Sequence, residues 1–249
     1  MMRLSPPDVA LRDTGAADPI GHLLGSDLAG REQPETVIVG FPPTRGVQRK
    51  VGASQGPAAL RKAFYQLVPD GRSERFHRLL TRTRDLADLE ISGDLETDQR
   101  RLGEVIAPFL AQSTFVIVLG GGHETSYGHF LGYAISDRPV SILNWDAHPD
   151  VRELKEGKGH SGSPFRQALE DSSGACRRYA VAGLEPHAVA RAHLDYVQHR
   201  GRVWWREDVS REAMPSIYDS ITPPSLVSFD FDAVSQSEAP GSAPRMPVG

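Results

Sequence analysis

The stretch "TFVIVLGGGHETSYGHFLGYAISDRPVSILNWDAH", residues 114–148, decides the fold class. Two short apolar runs, TFVIVLGG and SILNWDAH, flank a segment with helical spacing, TSYGHFLGYAIS. Neighbouring parallel strands need a crossover connection, and that connection is nearly always a helix. The stretch therefore predicts a strand–helix–strand unit whose two strands run parallel.

The same alternation continues on both sides of this unit, from Thr36 onward. Further strands are predicted at TVIVGFP, YAVAGL, RVWW and SLVSFDFDA, and helices at GPAALRKAFYQL, DLETDQRRLGEVIAPFLAQ and EPHAVARAHLDYVQH. The strands are apolar throughout, which predicts burial on both faces. We expect an α/β fold with one mainly parallel sheet covered by helices, in a single domain over residues 35–249. Residues 1–34 are rich in Pro, Gly, Asp and Ala and predict a leader segment with a short helix in its middle.

The composition indicates which class of molecule the chain is expected to bind. The chain has 249 residues, 39% of them hydrophobic and 24% charged, which is typical of a globular protein. A net charge of −4 provides no basic field for nucleic acid or a membrane surface, so a small-molecule substrate is expected. The one cysteine, Cys176, cannot form an intrachain disulfide, and the sequence shows neither a secretory signal nor an 18-residue apolar run. A cytoplasmic location is the default expectation.

Residues able to bind a metal follow three of the predicted strands. They are His123 in GGGHE, then Asp146, His148 and Asp150 in DAHPD, and finally Asp230 and Asp232 in SFDFD. On a continued strand, alternate residues point to one side, so each group is expected to converge. Two simpler readings stay open at this point: GGGHE as a tight strand-to-helix turn, and DAHPD as a solvated strand end.

Taken together, the three strand ends predict a metal site. Burial of Asp230 beside Asp232 is costly without a counter-charge, and a strand as apolar as SLVSF is not expected to be exposed. Two imidazoles and four carboxylates exceed the needs of one divalent ion and suit two. Oxygen-rich ligation favours manganese, with zinc, cobalt and iron as alternatives. Two such ions would acidify a bridging water and provide hydroxide at neutral pH.

GGGHE, DAHPD and SFDFD, in this order and spacing, resemble the motifs of the arginase-like ureohydrolases: arginase, agmatinase and formimidoylglutamase. Further similarity lies in VGASQGPAALRKAF (51–64), SGSPFRQAL (161–169) and APGSAP (239–244). GGGHE, NWDAHPD and Phe165 are most similar to formimidoylglutamase. The resemblance implies a three-layer αβα sandwich and hydrolysis of N-formimidoyl-L-glutamate to L-glutamate and formamide, a step of histidine degradation. It also implies a homo-oligomer.

The resemblance also implies roles for individual residues, with two Mn²⁺ per subunit. One ion would be held by His123, Asp146, Asp150 and Asp230, and the other by Asp146, His148, Asp230 and Asp232. His160 is a candidate for the acid that protonates the leaving amine, the alternative being a solvated loop histidine. Arg166 is a candidate for binding a substrate carboxylate, the alternative being an exposed arginine at the start of a helix.

The sequence departs from the family in two places. Ser235 stands where the last ligand motif usually continues to Asp-Pro, and family members extend beyond the position of Gly249. The C-terminal strands and the closing helix of the fold are therefore expected to be missing. Two alternatives follow: an agmatinase or guanidino-acid ureohydrolase that releases urea, and a metal-binding homologue without activity.

Overall fold

Helices flank two four-stranded sheets in this α/β chain. The computed structural model describes residues 4–5, 19–28, 32–43, 52–235 and 237–240. The chain divides into two compact units, Met1–Ser136 and Asp137–Gly249. Within the described residues, every helix is too short or too polar to cross a membrane.

The first unit contains a sheet with the strand order β1-β3-β2-β4. β2 pairs in parallel with β3 and β4, whereas β1 pairs antiparallel to β3. Its strands are β1 (Leu4–Ser5), β2 (Thr36–Phe41), β3 (Thr83–Leu89) and β4 (Phe115–Gly120). Its helices are α1 (Ile20–Leu23), α2 (Gly56–Phe64), α3 (Glu74–Thr81), α4 (Leu95–Ala111) and α5 (Thr125–Ile135). Every residue of β2 is buried, as its apolar sequence predicts.

A buried ion-pair cluster ties α2 to β3 in this unit. The guanidinium of Arg61 is 1% exposed and donates to both oxygens of Asp85, at 2.7 and 3.0 Å, and to Asp88. The hydroxyl of Tyr65 also donates to Asp85. β3 was not predicted from the sequence, because the charged residues of TRDLADL do not follow a strand pattern. The partial burial of Asp85 and Asp88 depends on Arg61, which lies 24 and 27 residues earlier in the chain.

The second unit contains an entirely parallel sheet with the strand order β7-β6-β5-β8. Its strands are β5 (Val140–Trp145), β6 (Cys176–Leu184), β7 (Gly201–Trp205) and β8 (Ser225–Phe229). Its helices are α6 (Pro164–Glu170), α7 (Arg191–Gln198) and α8 (Met214–Tyr218). On one face of this sheet, Ile217 of α8 packs in a buried cluster with Leu143 of β5 and Ala180 of β6.

The α/β class with parallel strands and flanking helices is confirmed. Three details of the sequence analysis are wrong. The strands hydrogen-bond as two sheets, because strand order along the chain does not specify which edges pair. The helix predicted over EPHAVARAHLDYVQH is a 3₁₀ turn at Pro186–Ala188 followed by α7, since Val189 and Ala190 take extended backbone angles.

The third correction concerns the exposure of β8. This strand lies at the edge of its sheet, and the side chains of Val227, Phe229 and Phe231 are about half exposed, whereas Leu226 and Ser228 are buried. The apolar sequence alone does not distinguish an edge strand from a central one. In the leader segment, α1 and β1 are seen, while residues 1–3, 6–18 and 29–31 lie outside the described residues, as do 241–244 of the APGSAP segment.

Candidate metal centre

Two carboxylates and one imidazole meet in the second unit, where β5 and β8 end. The two strands run parallel with Trp145 opposite Phe229, so the residues that follow them, Asp146 and Asp230, emerge side by side. The backbone N–H of Asp230 donates to the carbonyl of Trp145 at 2.9 Å, which extends the pairing by one residue. This register places the two acidic motifs at one edge of the sheet.

The geometry of the first motif differs from the predicted strand. β5 ends at Trp145, and residues 146–150, which we name the 146–150 loop, form a bend followed by irregular backbone. The backbone N–H of His148 donates to Asp146 Oδ1 at 2.8 Å, and this contact closes the bend. Convergence of the side chains therefore comes from the bend and not from strand alternation.

The second motif is also bent. Asp230 begins a 3₁₀ turn at Phe231–Ala233, and its Oδ1 accepts the backbone N–H of Asp232 at 3.1 Å. Asp232 is 8% exposed, and its Oδ1 accepts the backbone N–H of Ala147 at 3.2 Å. This last contact connects the turn after β8 directly to the loop after β5.

The cluster itself consists of Asp146, His148 and Asp232. His148 Nδ1 lies 3.3 Å from Asp146 Oδ1 and 3.1 Å from Asp232 Oδ2. One ligand atom from each of the three residues lies within 4.8 Å of the other two. Asp146 is fully buried, while the His148 side chain is 30% exposed and faces solvent in part. The arrangement provides a nitrogen and two carboxylate oxygens around one point.

The negative charge of the two carboxylates in the cluster favours a bound cation. Burial lowers the pKa of His148, but the hydrogen bonds and charges of Asp146 and Asp232 outweigh it and raise that pKa. Burial raises the pKa of Asp232; the His148 hydrogen bond opposes this, and the charges of Asp146 and Asp230 add to it. Both raised pKa values mean that the cluster binds a proton readily, and a bound cation would balance the same negative charge of the carboxylates. The donor set therefore fits a divalent ion that accepts nitrogen and oxygen ligands, manganese among them.

The other predicted ligands lie as follows. Asp150 is half buried at the end of the 146–150 loop, and one of its oxygens lies within 4.8 Å of Asp146. Asp150 has a φ of 43°, in the left-handed region that Asp tolerates better than most residues. His123 belongs to the first unit, in the turn between β4 and α5. Gln99 Nε2 donates to the carbonyl of the adjacent Glu124 at 2.7 Å and holds that turn against α4.

His160 is hydrogen-bonded at both ring nitrogens. Its Nδ1 accepts the backbone N–H of Gly162 at 3.1 Å, which leaves Nε2 protonated to donate to the carbonyl of Glu153 at 2.9 Å. Burial lowers the pKa of His160, and the charges of Lys155 and Arg152 add to that effect. A role as general acid stays a prediction, and it requires the contact with Glu153 to break and Nδ1 to take up a proton in place of the Gly162 N–H.

Arg166 lies on α6 with its guanidinium already engaged. Its Nε lies 3.1 Å from Glu170 Oε1, its Nη2 lies 3.6 Å from Glu153, and its Cζ is 4.7 Å from the centre of the Tyr196 ring. Glu153 and Glu170 are exposed, and ion pairs with exposed partners contribute little to stability. A substrate carboxylate would have to replace Glu170, so that role also stays a prediction.

Two polar residues beside the 146–150 loop, Asn144 and Tyr179, were not predicted from the sequence. Asn144 is fully buried in β5, and its Nδ2 donates to Asp146 Oδ2 at 3.0 Å. Tyr179 of β6 is 1% exposed and donates to the carbonyl of Pro149 at 2.7 Å. An amide inside the apolar run SILNW was the available signal, because a buried amide needs partners. Tyr179 carries no comparable signal.

Comparison with known proteins agrees with this architecture. The sequence model of the arginase family matches residues 34–249. The chain belongs to the arginase family. Among curated relatives, formimidoylglutamase of Chromobacterium violaceum is 34% identical over 85% of this chain and 70% of its own length. Formimidoylglutamase of Nocardia farcinica is 39% identical over 67% of this chain, and the chain spans only 53% of that relative.

Solved structures of formimidoylglutamases have a similar fold. A crystal structure of Trypanosoma cruzi formiminoglutamase with Mn²⁺ matches 91% of this chain and 79% of its own, with a TM-score of 0.79 and 28% identity. These similarities support a hydrolase of the arginase family. Formimidoylglutamase of Bacillus subtilis, at 20% identity and a TM-score of 0.77, shows the shared fold alone.

Proposed function

We propose that this arginase-family chain is a binuclear manganese hydrolase of a linear amidine, with N-formimidoyl-L-glutamate as its substrate. Water would replace the amine at the amidine carbon, and the products would be L-glutamate and formamide. The observation that carries the proposal is the Asp146–His148–Asp232 cluster after β5 and β8. The names of the relatives and the Mn²⁺ of the T. cruzi structure support the substrate and the metal.

The proposed metal ligands are the six residues of the three motifs: His123, Asp146, His148, Asp150, Asp230 and Asp232. Two bound Mn²⁺ ions would acidify a water molecule and so provide a nucleophile at neutral pH. The contribution of this chain is to hold the donors before the metal arrives. Backbone N–H groups of His148 and Ala147 fix the carboxylates of Asp146 and Asp232, so less side-chain entropy is lost on binding.

Two further groups are proposed to act on the substrate. Arg166 would bind a carboxylate of the glutamate part by paired N–H···O contacts. His160 would protonate the leaving amine as an imidazolium, so it would first take up a proton at Nδ1, which now accepts the Gly162 N–H, and its Nε2 would leave the Glu153 carbonyl. The cytoplasmic location and the homo-oligomer also stay predictions.

The test is an end-point assay of the purified chain with Mn²⁺, using formimidoylglutamate, agmatine and guanidino acids as substrates. Formamide from formimidoylglutamate supports the proposal, whereas urea from a guanidino compound would favour the ureohydrolase alternative. Metal content measured on the same sample separates two kinds of failure. Two ions without turnover would indicate a metal-binding homologue without activity, and no bound ion would contradict the metal centre itself.

A further inference from the structure

The 146–150 loop is held in place by side chains of the two neighbouring strands. Asn144 Nδ2 donates to Asp146 Oδ2 at 3.0 Å and lies 3.5 Å from the carbonyl of His148. The hydroxyl of Tyr179 donates to the carbonyl of Pro149 at 2.7 Å, and Asn144 Nδ2 lies 3.4 Å from that same hydroxyl. One buried amide and one buried phenol thus touch the beginning and the end of the loop.

The contact made by Tyr179 acts on the backbone of Asp150. The Pro149 carbonyl belongs to the peptide bond that precedes Asp150, so the hydrogen bond fixes the plane of that peptide. Asp150 needs this constraint, because its φ of 43° is less favourable for residues with a side chain than the usual negative values. The backbone N–H of Phe165 donates to the Asp150 carbonyl at 3.2 Å and completes the hold on this end.

The position of Tyr179 is itself determined by packing. Its ring stacks on the buried ring of Phe165, with centroids 5.0 Å apart, and β6 pairs in register with β5. A buried hydroxyl in such a place has little freedom to choose another partner. The phenol is therefore a fixed donor against which the loop folds.

We infer that Tyr179 and Asn144 are positioning residues that preset the 146–150 loop for metal binding. This inference rests on the proposed function, because it concerns the geometry of the proposed ligands Asp146 and Asp150. Neither residue is a metal ligand. Outer partners of metal ligands typically change metal affinity by about 10- to 100-fold when they are removed.

The test compares a variant at Tyr179 of β6 with a variant at Ile217 of α8, which packs against the opposite face of β5 and β6. Y179F removes only the hydroxyl and keeps the stacked ring. The control, I217V, removes one buried methylene from the cluster formed with Leu143 and Ala180 on the other face. For each protein, the urea midpoint of the metal-free form and the Mn²⁺ affinity, by competition with a chelating indicator, are measured.

We expect Y179F to bind Mn²⁺ about 10-fold or more weakly, and I217V to bind it as the wild type does. If both variants lose Mn²⁺ affinity in proportion to the decrease in their urea midpoints, Tyr179 has a purely structural role and the inference is overturned. Wild-type affinity in Y179F would overturn it as well. If Y179F does not fold, N144A carries the same expectation and the same refutation.

The wild-type measurement keeps the two hypotheses apart. Wild-type protein that binds two Mn²⁺ while Y179F is unaffected contradicts the inference alone. Wild-type protein that binds no Mn²⁺ contradicts the proposed function and the inference together. A change in the electron paramagnetic resonance spectrum of bound Mn²⁺ in Y179F would further support altered ligand geometry.

Discussion

Replacement of Arg61 by methionine should destabilise the first unit strongly. Methionine has a similar length but no charge, so the carboxylates of Asp85 and Asp88 would lose their counter-ion at side-chain exposures of 11% and 26%. Burial alone would lower the pKa of Arg61, but hydrogen bonds and charge from Asp85, and then Asp88, raise it. The guanidinium is therefore strongly held.

The size of the expected loss of stability depends on the hydrogen bonds that the carboxylates retain in R61M. Removal of one partner of a buried ion pair typically costs about 3–5 kcal/mol. Asp85 would still accept the backbone N–H of Ala87 at 2.7 Å and the hydroxyl of Tyr65, which places R61M at the lower end, at about 3 kcal/mol. With an m value of about 3 kcal/mol per molar urea, the unfolding midpoint should fall by about 1 M.

Urea unfolding followed by far-ultraviolet circular dichroism measures this change. The matched control is R100M, since Arg100 makes an exposed pair with Glu104 at 3.2 Å one helical turn away. Such a pair contributes only about 0.3–0.5 kcal/mol. An R61M protein that stays within about 1 kcal/mol of the wild type, or that matches R100M, would refute the reasoning from burial.

Three further changes test other parts of the chain. D232N keeps the shape of the side chain but removes a proposed ligand charge, so bound Mn²⁺ should fall from two ions toward one by elemental analysis; two tightly retained ions would contradict its role. Burial lowers the pKa of His129 to about 4. Below the ordinary pKa of histidine, the unfolded state therefore binds more protons than the folded state does, and the free energy of unfolding should decline by about 2 kcal/mol from pH 7 to pH 5. H129F should lack that share of the decline in urea titrations at the two pH values, and an unchanged decline would argue against it. A Cβ at Gly40 would overlap the Asp88 carboxylate, so G40A should cost about 1–3 kcal/mol in the same assay, and wild-type stability would contradict the close approach.

The sequence was informative wherever a local pattern carried the structure. The apolar runs around Val39, Leu143 and Val181 predicted buried strands, because continuous burial leaves the same signature whatever the pairing partner is. The family resemblance and the α/β class followed from these runs and from the three motifs. The acidic motifs were also expected at strand ends, where the structure has Asp146 and Asp230.

What the sequence did not reveal depends on contacts between distant residues. The carboxylate of Asp85 is accommodated in the half-buried strand β3 by its contact with Arg61, so neither residue predicts the strand alone. Likewise, the exposure of Phe229 depends on the edge position of β8. The bend after Trp145 arises from a hydrogen bond between His148 and Asp146, which strand periodicity does not contain.

The register of β5 against β8 makes the length of these strands as important as their composition. Trp145 faces Phe229, and Asp146 and Asp230 follow one position later. Deletion of a single residue inside β8 leaves the strand apolar, yet it would turn the rest of the strand's side chains to the opposite face and shift Asp230 by one position against Asp146. Insertions and deletions in Ser225–Phe229 are therefore expected to disturb the metal centre more than substitutions that keep the strand in register.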